Sequence, residues 1–572
     1  MPTFVVFMIF QEKIMSKQWY NEMCVYQVWP RSFKDGDGDG IGDLKGILEK
    51  LDYIKSLGVD AIWFSPLYAS PQKDYGYDIA DYYNINPEYG TNEDFKAVLD
   101  GAHARGMRVI MDLVINHTSD QHEWFKKSAA GDPQYKDYYI WRPGKGKDGK
   151  KFPNNWMATF PGDGWKWNEE RGEYYLHLFA VEQPDLNHDN PAVREEVKRI
   201  MRYWLDMGVD GFREDVITYI SKKEGLPNGF PLPAARGMEH YSPGPNLKKY
   251  LQEYRDVVKE YEGRLQLGEA PMMTPKNALK YIDGEDRVLD MMFGFQHMEA
   301  DCFMISWIRL PFSLRKLKKI YNNWQTKLYG RGINANYIEN HDQPRNISRY
   351  GSEKYRFESG KALCTMYTFL SGAQFVYQGQ EIGMTNLDYE KWDDFVDVST
   401  FSTKKLLEKL KIFSQKKIMK MAKYAARDNA RTPVQWNATA NAGFTTGTPW
   451  YTVNPNYVDV NVEAQENDPN SQLNFYRKAI ALRKEYADSA IYGQFILHLK
   501  GHRQLFVYDK IGENGTKLTV IINLSEKTLS SKKAKKYICP HSKEILSNYE
   551  GEMGDKLRPY EARVYKNALL GE

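Results

Sequence analysis

Short apolar runs recur along this chain, each closed by a polar residue and each separated from the next by a stretch with helical spacing. Cys24-Val-Tyr-Gln-Val-Trp29, Val59-Asp-Ala-Ile-Trp-Phe64 and Arg108-Val-Ile-Met-Asp-Leu-Val114 read as buried strands. Between the first two, Leu44, Ile47, Leu48, Leu51, Ile54 and Leu57 recur at the spacing of a helix that Gly58 stops. Asn92 is the expected cap of a further helix over 93–104. Strands are expected again at 209–216, 265–269, 288–293, 335–338 and 374–377, and a helix over 191–207. Repeated strand–helix–strand units with continuously apolar strands imply a parallel sheet covered on both faces. Enough of them predict an α/β fold, a (β/α)8 TIM barrel, whose chemistry sits at the C-terminal ends of its strands.

The rhythm breaks twice. Residues 118–188 are rich in Trp, Gly, Pro and Lys without a useful amphipathic helix, and form too long a stretch for a plain loop. A small domain inserted after the third strand is expected there, roofing the strand ends. Beyond residue 491, short alternating runs such as Leu505-Phe-Val-Tyr508 and Leu518-Thr-Val-Ile-Ile-Asn523 predict a separate antiparallel β domain over 492–572. The barrel then comprises 16–117 and 189–491. Residues 1–15 are apolar at first but lack a basic segment and a small-residue cleavage site, and are too short to span a bilayer, so they read as an extension. The Lys-rich stretch 404–423 has helical spacing (Leu406, Leu407, Leu410, Ile412, Phe413) and reads as a solvated helix.

Charge excludes some partners. Lys+Arg 78 against Asp+Glu 75 leaves +3, which gives no reason to expect nucleic acid or an anionic membrane. Four cysteines (Cys24, Cys302, Cys364, Cys539) show neither a Cys-x-x-Cys pair nor metal-ligand spacing, which suits free thiols in a reducing, cytoplasmic setting. No Gly-rich phosphate loop is present, so no organic cofactor is expected, and the chain is expected to act as a monomer. The 40 Tyr and 14 Trp supply rings that can stack on sugar faces.

Three strings end in an acid at expected strand ends: Gly-Phe-Arg213-Glu-Asp215-Val216, Leu-Gly-Glu269 and Glu-Asn-His341-Asp342. Cleaving a glycosidic bond with retention needs two carboxyl groups about 5 Å apart, one to attack and one to protonate the leaving oxygen. Side chains alternate along a strand, so Arg213 and Asp215 point one way and Glu214 the other. Arg213 favours an ionised Asp215. Glu269 suits an acid, and His341-Asp342 adds a third carboxylate and a donor.

Further strings carry a resemblance. Trp29-Pro-Arg-Ser-Phe33, Gly76-Tyr77-Asp78-Ile-Ala-Asp81-Tyr-Tyr83, Asp112-Leu-Val-Ile-Asn116-His117, Gln183-Pro-Asp-Leu-Asn187, Asn340-His-Asp-Gln-Pro-Arg345, Tyr377-Gln-Gly-Gln-Glu-Ile-Gly-Met384 and Arg427-Asp-Asn-Ala-Arg431-Thr-Pro occur in the order found in α-amylase-superfamily glycoside hydrolases, within the oligo-1,6-glucosidase/α-glucosidase group. The resemblance covers about 18–486. It implies a (β/α)8 barrel, a domain inserted after strand three and a C-terminal β-sandwich. It further implies Asp215 as nucleophile, Glu269 as acid/base and Asp342 as transition-state stabiliser. Asp78, His117, Arg213, His341 and Arg431 are implied to hold the terminal glucose, with Tyr77 stacking on it. An exo-acting retaining enzyme follows.

In that group the residue after the nucleophile tends to be Val for α-1,6 linkages and Ala or Thr for α-1,4. Val216 and Gln183-Pro-Asp-Leu-Asn187 therefore imply isomaltose and short isomalto-oligosaccharides as substrates. A broader α-glucosidase acting on maltosides or sucrose, and a trehalose-6-phosphate hydrolase, are the alternatives. Asp35-Gly-Asp37-Gly-Asp39-Gly-Ile41-Gly-Asp43 resembles a calcium loop, with oxygens at alternate positions. The resemblance implies a structural Ca²⁺, or Mg²⁺, with the Ile41 carbonyl among its ligands. Some strings depart from the family. Glu214 stands where an apolar residue is usual and is expected to pair with a helix cation. His188-Asp189 replaces Trp-Glu and is expected near the pocket rim. Residues 301–314 match the family poorly. The Arg-Leu-Asp-Arg string of sucrose-isomerising relatives is missing near 330–350.

Overall fold

Eight parallel strands close into a barrel in chain order. They are β1 (Cys24–Val28), β2 (Ala61–Phe64), β3 (Arg108–Leu113), β4 (Gly211–Glu214), β5 (Leu265–Ala270), β6 (Met291–Gly294), β7 (Ile333–Asn336) and β8 (Ala373–Tyr377), with β8 pairing back onto β1. The computed structural model describes residues 18–567, so the expected extension at 1–15 lies outside the described residues. Every residue of β1, β2, β4, β5, β6 and β8 is buried, which is why most of these strands read as largely apolar runs, with β4 (Gly-Phe-Arg-Glu) carrying its polar residues out of solvent.

Local chemistry explains the connecting helices, with two differences from expectation. Pro191–Met207 forms one helix, capped by the Asn190 side chain and ended by Gly208 at φ 114°. The helix Asn92–Ala104 starts on Thr91 rather than Asn92. The Thr91 and Asp94 side chains close a reciprocal capping box, while the Asn92 side chain is spent bracing the Tyr83 carbonyl and the Ile85 N–H. The Lys-rich stretch is two helices, Val398–Leu410 and Gln415–Ala425, broken where Lys411 turns left-handed at φ 56°. Leu407, Ile418 and Met421 are buried between them, and Leu410 and Ile412 stay exposed.

The segment inserted after β3 carries an antiparallel sheet of Trp141–Arg142, Glu173–Leu176 and Trp165–Asn168. Its aromatic core joins Leu176, Leu178 and Phe179 to Val216, Tyr219 and Tyr241 beyond β4, so this sheet is packed onto one side of the barrel mouth. At the other end of the chain, an antiparallel sheet runs in the order β9 (Gln494–His498), β10 (Leu505–Ile511), β11 (Lys517–Asn523), β13 (Ala562–Lys566), β12 (Lys543–Ser547). Alternation along β10 splits its faces: Phe506 and Tyr508 enter the barrel-side core, and Leu505 and Val507 pack with Leu557 on the far side. The expected second layer is reduced there to the ladder of Leu529–Ser530 with Lys556–Leu557.

Candidate active site

The floor of the site is one buried guanidinium. Strand register sets Arg213 beside Asp112 of β3, and both side chains face into the barrel. Arg213 Nη1 donates to Asp112 Oδ1 at 2.7 Å and to Asp215 Oδ1 at 2.6 Å, while Nη2 pairs with Glu269 Oε2 at 2.7 Å. Burial pushes the Asp215 carboxyl well above the usual range, and Glu269 and Asp112 add to that against the pull of Arg213. Arg213 pulls toward the ionised form, as expected, but burial outweighs it. Asp112 is raised by burial in the same way, so the two aspartates compete for one cation out of water.

Backbone strain helps place Glu269. Val216 sits at φ 35°, a left-handed conformation that a β-branched residue rarely adopts. This turn aims the Val216 N–H at Glu269 Oε2, 2.9 Å away. Nothing in the local sequence signals it.

Asp342 projects from the loop after β7 with about a quarter of its side chain exposed. Although burial raises it, His341, Arg427 and Arg431 hold its carboxyl well below the usual range. His341 is fully buried and packs against both Trp29 and Tyr77, each with its ring centre 5.3 Å away, those two rings lying 6.5 Å from one another. The Gln27 amide donates to His341 Nδ1 at 2.7 Å, leaving Nε2 to face the Tyr77 hydroxyl at 2.8 Å and Asp342 Oδ2 at 3.1 Å. Arg427 Nη1 reaches Asp342 Oδ1 at 3.0 Å, and its Nη2 reaches Asp74 at 2.9 Å and Asp397 at 2.8 Å. Arg431 pairs with Asp397 and, at 3.3 Å, with Asp342.

These residues bound a cavity of about 270 Å³ lined by Asp74, Tyr77, His117, Asp215, Val216, Glu269, Asp342 and Arg427, with further side chains from the inserted segment and the loops after β4, β5 and β6. That lies at the small end of ligand pockets, about 300–1,000 Å³, and suits one or two sugar rings. Burial lowers His117 to about 4, so its ring is neutral at neutral pH. His117 Nε2 lies 3.1 Å from both the Tyr77 carbonyl and the Gln183 amide nitrogen.

Asp78 is a correction: it does not reach the cavity. It is fully buried, and its oxygens accept from the Ser70 hydroxyl and the N–H groups of Lys73 and Asp74. It closes the turn that presents Asp74, which does line the cavity, with Gln183 donating to its Oδ2 at 3.1 Å. Burial raises Asp74 to about 6, against Arg427. Arg213, His341 and Arg431 likewise stand behind the wall, gripping the carboxylates that form it. Sequence reasoning missed Asp74, Arg427 and Asp397. Asp74 and Asp78 share one string, as do Arg427 and Arg431, and only the tertiary turn decides which member faces inward. His188 is also away from the rim: buried, it bonds Tyr254 at 2.8 Å and the Ile115 carbonyl at 2.7 Å, fastening the end of the inserted segment to the barrel. Glu214 meets Gln266 rather than a cation, at 2.8 Å, because Arg255 is spent on Asp290.

In the acidic loop, carboxylate oxygens of Asp35, Asp37 and Asp39 converge within 4.8 Å of one another, a set that fits a hard cation. Gly38 and Gly40 make the turn possible at φ 92° and 97°, and a Cβ on Gly40 would lie 1.8 Å from the Thr448 carbonyl. Asp43 accepts from the Gly46 N–H as a helix cap and from Gly36 N–H, so it anchors the loop as it borders it.

Paired carboxyls on a cationic floor at the strand ends of a (β/α)8 barrel, facing a cavity of sugar size, define a glycoside hydrolase. Residues 27–493 match the alpha amylase catalytic domain, and the chain belongs to the alpha-amylase family. It is 46% identical over 569 residues to the oligo-1,6-glucosidase of Parageobacillus thermoglucosidasius, covering 97% of this chain and 100% of that one. The structure is similar to that of Bacillus licheniformis trehalose-6-phosphate hydrolase, with TM-score 0.88, 41% identity and coverage of 96% and 100%. It is also similar to isomaltulose synthase from Klebsiella sp. LX3, with TM-score 0.92, 36% identity and the same coverage.

Proposed function

We propose that this chain is a retaining, exo-acting α-glucosidase that releases glucose from isomaltose and short isomalto-oligosaccharides. The observation that carries this reading is the placing of Asp215 and Glu269 on adjacent nitrogens of Arg213. That favours the short carboxyl separation, about 5 Å, of retaining chemistry. The Asp215 carboxylate attacks the anomeric carbon as the bond to the glycosidic oxygen breaks, and the Glu269 carboxyl gives that oxygen its proton. In the second half, Glu269 takes a proton from water, and the water oxygen displaces Asp215 with net retention. Asp342, kept anionic by Arg427, Arg431 and the hydrogen bond from His341, stabilises positive charge on the sugar ring in both steps. Tyr77 and His117 line the space of the terminal glucose, together with Asp74 and Arg427. Val216 beside the leaving sugar and the likeness to oligo-1,6-glucosidases favour the α-1,6 linkage.

Asp35, Asp37, Asp39 and Asp43, with the Ile41 carbonyl, would hold a Ca²⁺ that stiffens the loop and takes no part in the chemistry. Chelation should then lower Tm while leaving KM for isomaltose unmoved; an unchanged Tm would remove the ion from the account. The free thiols suit a reducing, cytoplasmic setting.

Initial rates of glucose release from isomaltose, maltose, sucrose and trehalose 6-phosphate test the function directly. Isomaltose should lead. Maltose or sucrose in front would overturn the linkage assignment.

A further inference from the structure

The cavity divides by strand. Asp74, Tyr77, His117, Asp342 and Arg427 come from the loops after β2, β3, β7 and β8 and line one side of it, the side assigned above to the terminal glucose. The opposite wall, beyond β4, β5 and β6, lies on the side of Glu269, where the departing sugar must sit because the acid protonates its oxygen. Apart from Glu269 and the Tyr219 hydroxyl, that wall is apolar except at Glu299, which follows β6 at the cavity mouth. The Glu299 residue is exposed and its carboxyl takes no hydrogen bond or ion pair among the described residues, but the surrounding wall desolvates it enough to raise it above the usual range, with Lys316 pulling the other way. Arg427 is the sole cation lining the cavity among the described residues, and it is engaged by Asp74, Asp342 and Asp397.

We propose that Glu299 sets the specificity of the leaving-group side, accepting a hydrogen bond from a hydroxyl of the departing sugar and excluding sugars that carry a phosphate there. This inference rests on the glucosidase function proposed above. An unpartnered carboxylate at a cavity mouth is a ready acceptor for a neutral sugar hydroxyl, and its hydrogen bonds are the stronger kind because it is charged. A phosphate in the same place brings like charges together, and the cation that acts on Glu299, Lys316, is a solvent-exposed ammonium that offsets this only weakly. The same site is thus complementary to a neutral disaccharide and mismatched to its phosphorylated counterpart, and the mismatch supplies much of the discrimination.

Wild type, Glu299→Gln, Glu299→Ala and Glu299→Lys would be compared on isomaltose, trehalose 6-phosphate and p-nitrophenyl α-glucoside, whose leaving group has no sugar hydroxyl. Glu299→Ala should lower the ratio of kcat/KM for isomaltose to that for the nitrophenyl glucoside about tenfold, chiefly through KM. Glu299→Lys should raise the ratio for trehalose 6-phosphate over isomaltose by about tenfold or more, with Glu299→Gln between it and wild type. A purely structural role would lower all three substrates together. Ratios that stay within about twofold across the variants would overturn the role of Glu299. A wild type that prefers maltose to isomaltose overturns the linkage assignment alone, since the nitrophenyl and phosphate ratios still report on Glu299.

Discussion

The two halves of the cavity are built on opposite principles. The half that holds the terminal ring is an ionic lattice in which Arg213, Arg427 and Arg431 each bridge two or more carboxylates. The half that meets the leaving sugar is made of Val216, Tyr219, Met238, Pro271, Met272 and Phe295, with Glu299 as its charged member beyond the acid Glu269. The lattice fixes charge and geometry before substrate arrives, which is what stabilising a charged transition state requires. The apolar wall fixes shape, and shape discriminates between linkages only by small increments. Chemistry and specificity can therefore be damaged separately.

Arg427→Lys is the sharpest way to break the ionic half. A single ammonium cannot bridge Asp74, Asp342 and Asp397 as the planar guanidinium does. kcat/KM for isomaltose and for p-nitrophenyl α-glucoside should fall together, by about a hundredfold. A loss confined to isomaltose would show that Arg427 belongs to the other half.

Val216→Ala tests the apolar half. Removing two methyl groups from the wall should move the isomaltose-to-maltose ratio toward maltose by about 1–3 kcal/mol, tenfold or somewhat more. It also changes a residue held at φ 35° whose N–H meets Glu269. A fall in kcat on both sugars with an unchanged ratio would assign Val216 to placing the acid rather than to choosing the linkage.

Glu214, next to the nucleophile but facing out of the barrel, belongs to neither half. Burial lifts its carboxyl to about 8, from 4.5. Raised above its unfolded value, the group contributes stability that is fully present below pH 4.5 and is lost as pH rises through about 8. Glu214→Gln has no such loss, so its Tm should match wild type near pH 4 and exceed it by a few degrees at pH 8–9. Equal Tm values across that range would mean the carboxyl is not protonated in the fold. Activity on isomaltose should not move.

The barrel was legible because strands buried on both faces read as continuous apolar runs, and each observed strand lies within a few residues of its expected run. The catalytic strings were legible because Arg213, Asp215, Glu269 and Asp342 close those runs. What was not legible was a choice between near neighbours. Thr91 rather than Asn92 caps its helix, Asp74 rather than Asp78 reaches the cavity, and Arg427 rather than Arg431 lines it. In each pair both residues suit the task, and the turn that selects one is set by tertiary contacts: Asp78 accepting backbone N–H groups, or the 3₁₀ turn Arg427–Ala430 swinging one guanidinium inward. The strain at Val216 and the unpartnered Glu299 are likewise properties of the folded chain alone.

The most direct test of the account traps the glycosyl-enzyme. A 5-fluoro-α-glucosyl fluoride slows departure of the sugar from the enzyme, and peptide mass spectrometry then locates the bond. The account predicts one label per chain, on the peptide carrying Asp215. A label on Glu269, on Asp342 or on no residue while glucose is still released would contradict it.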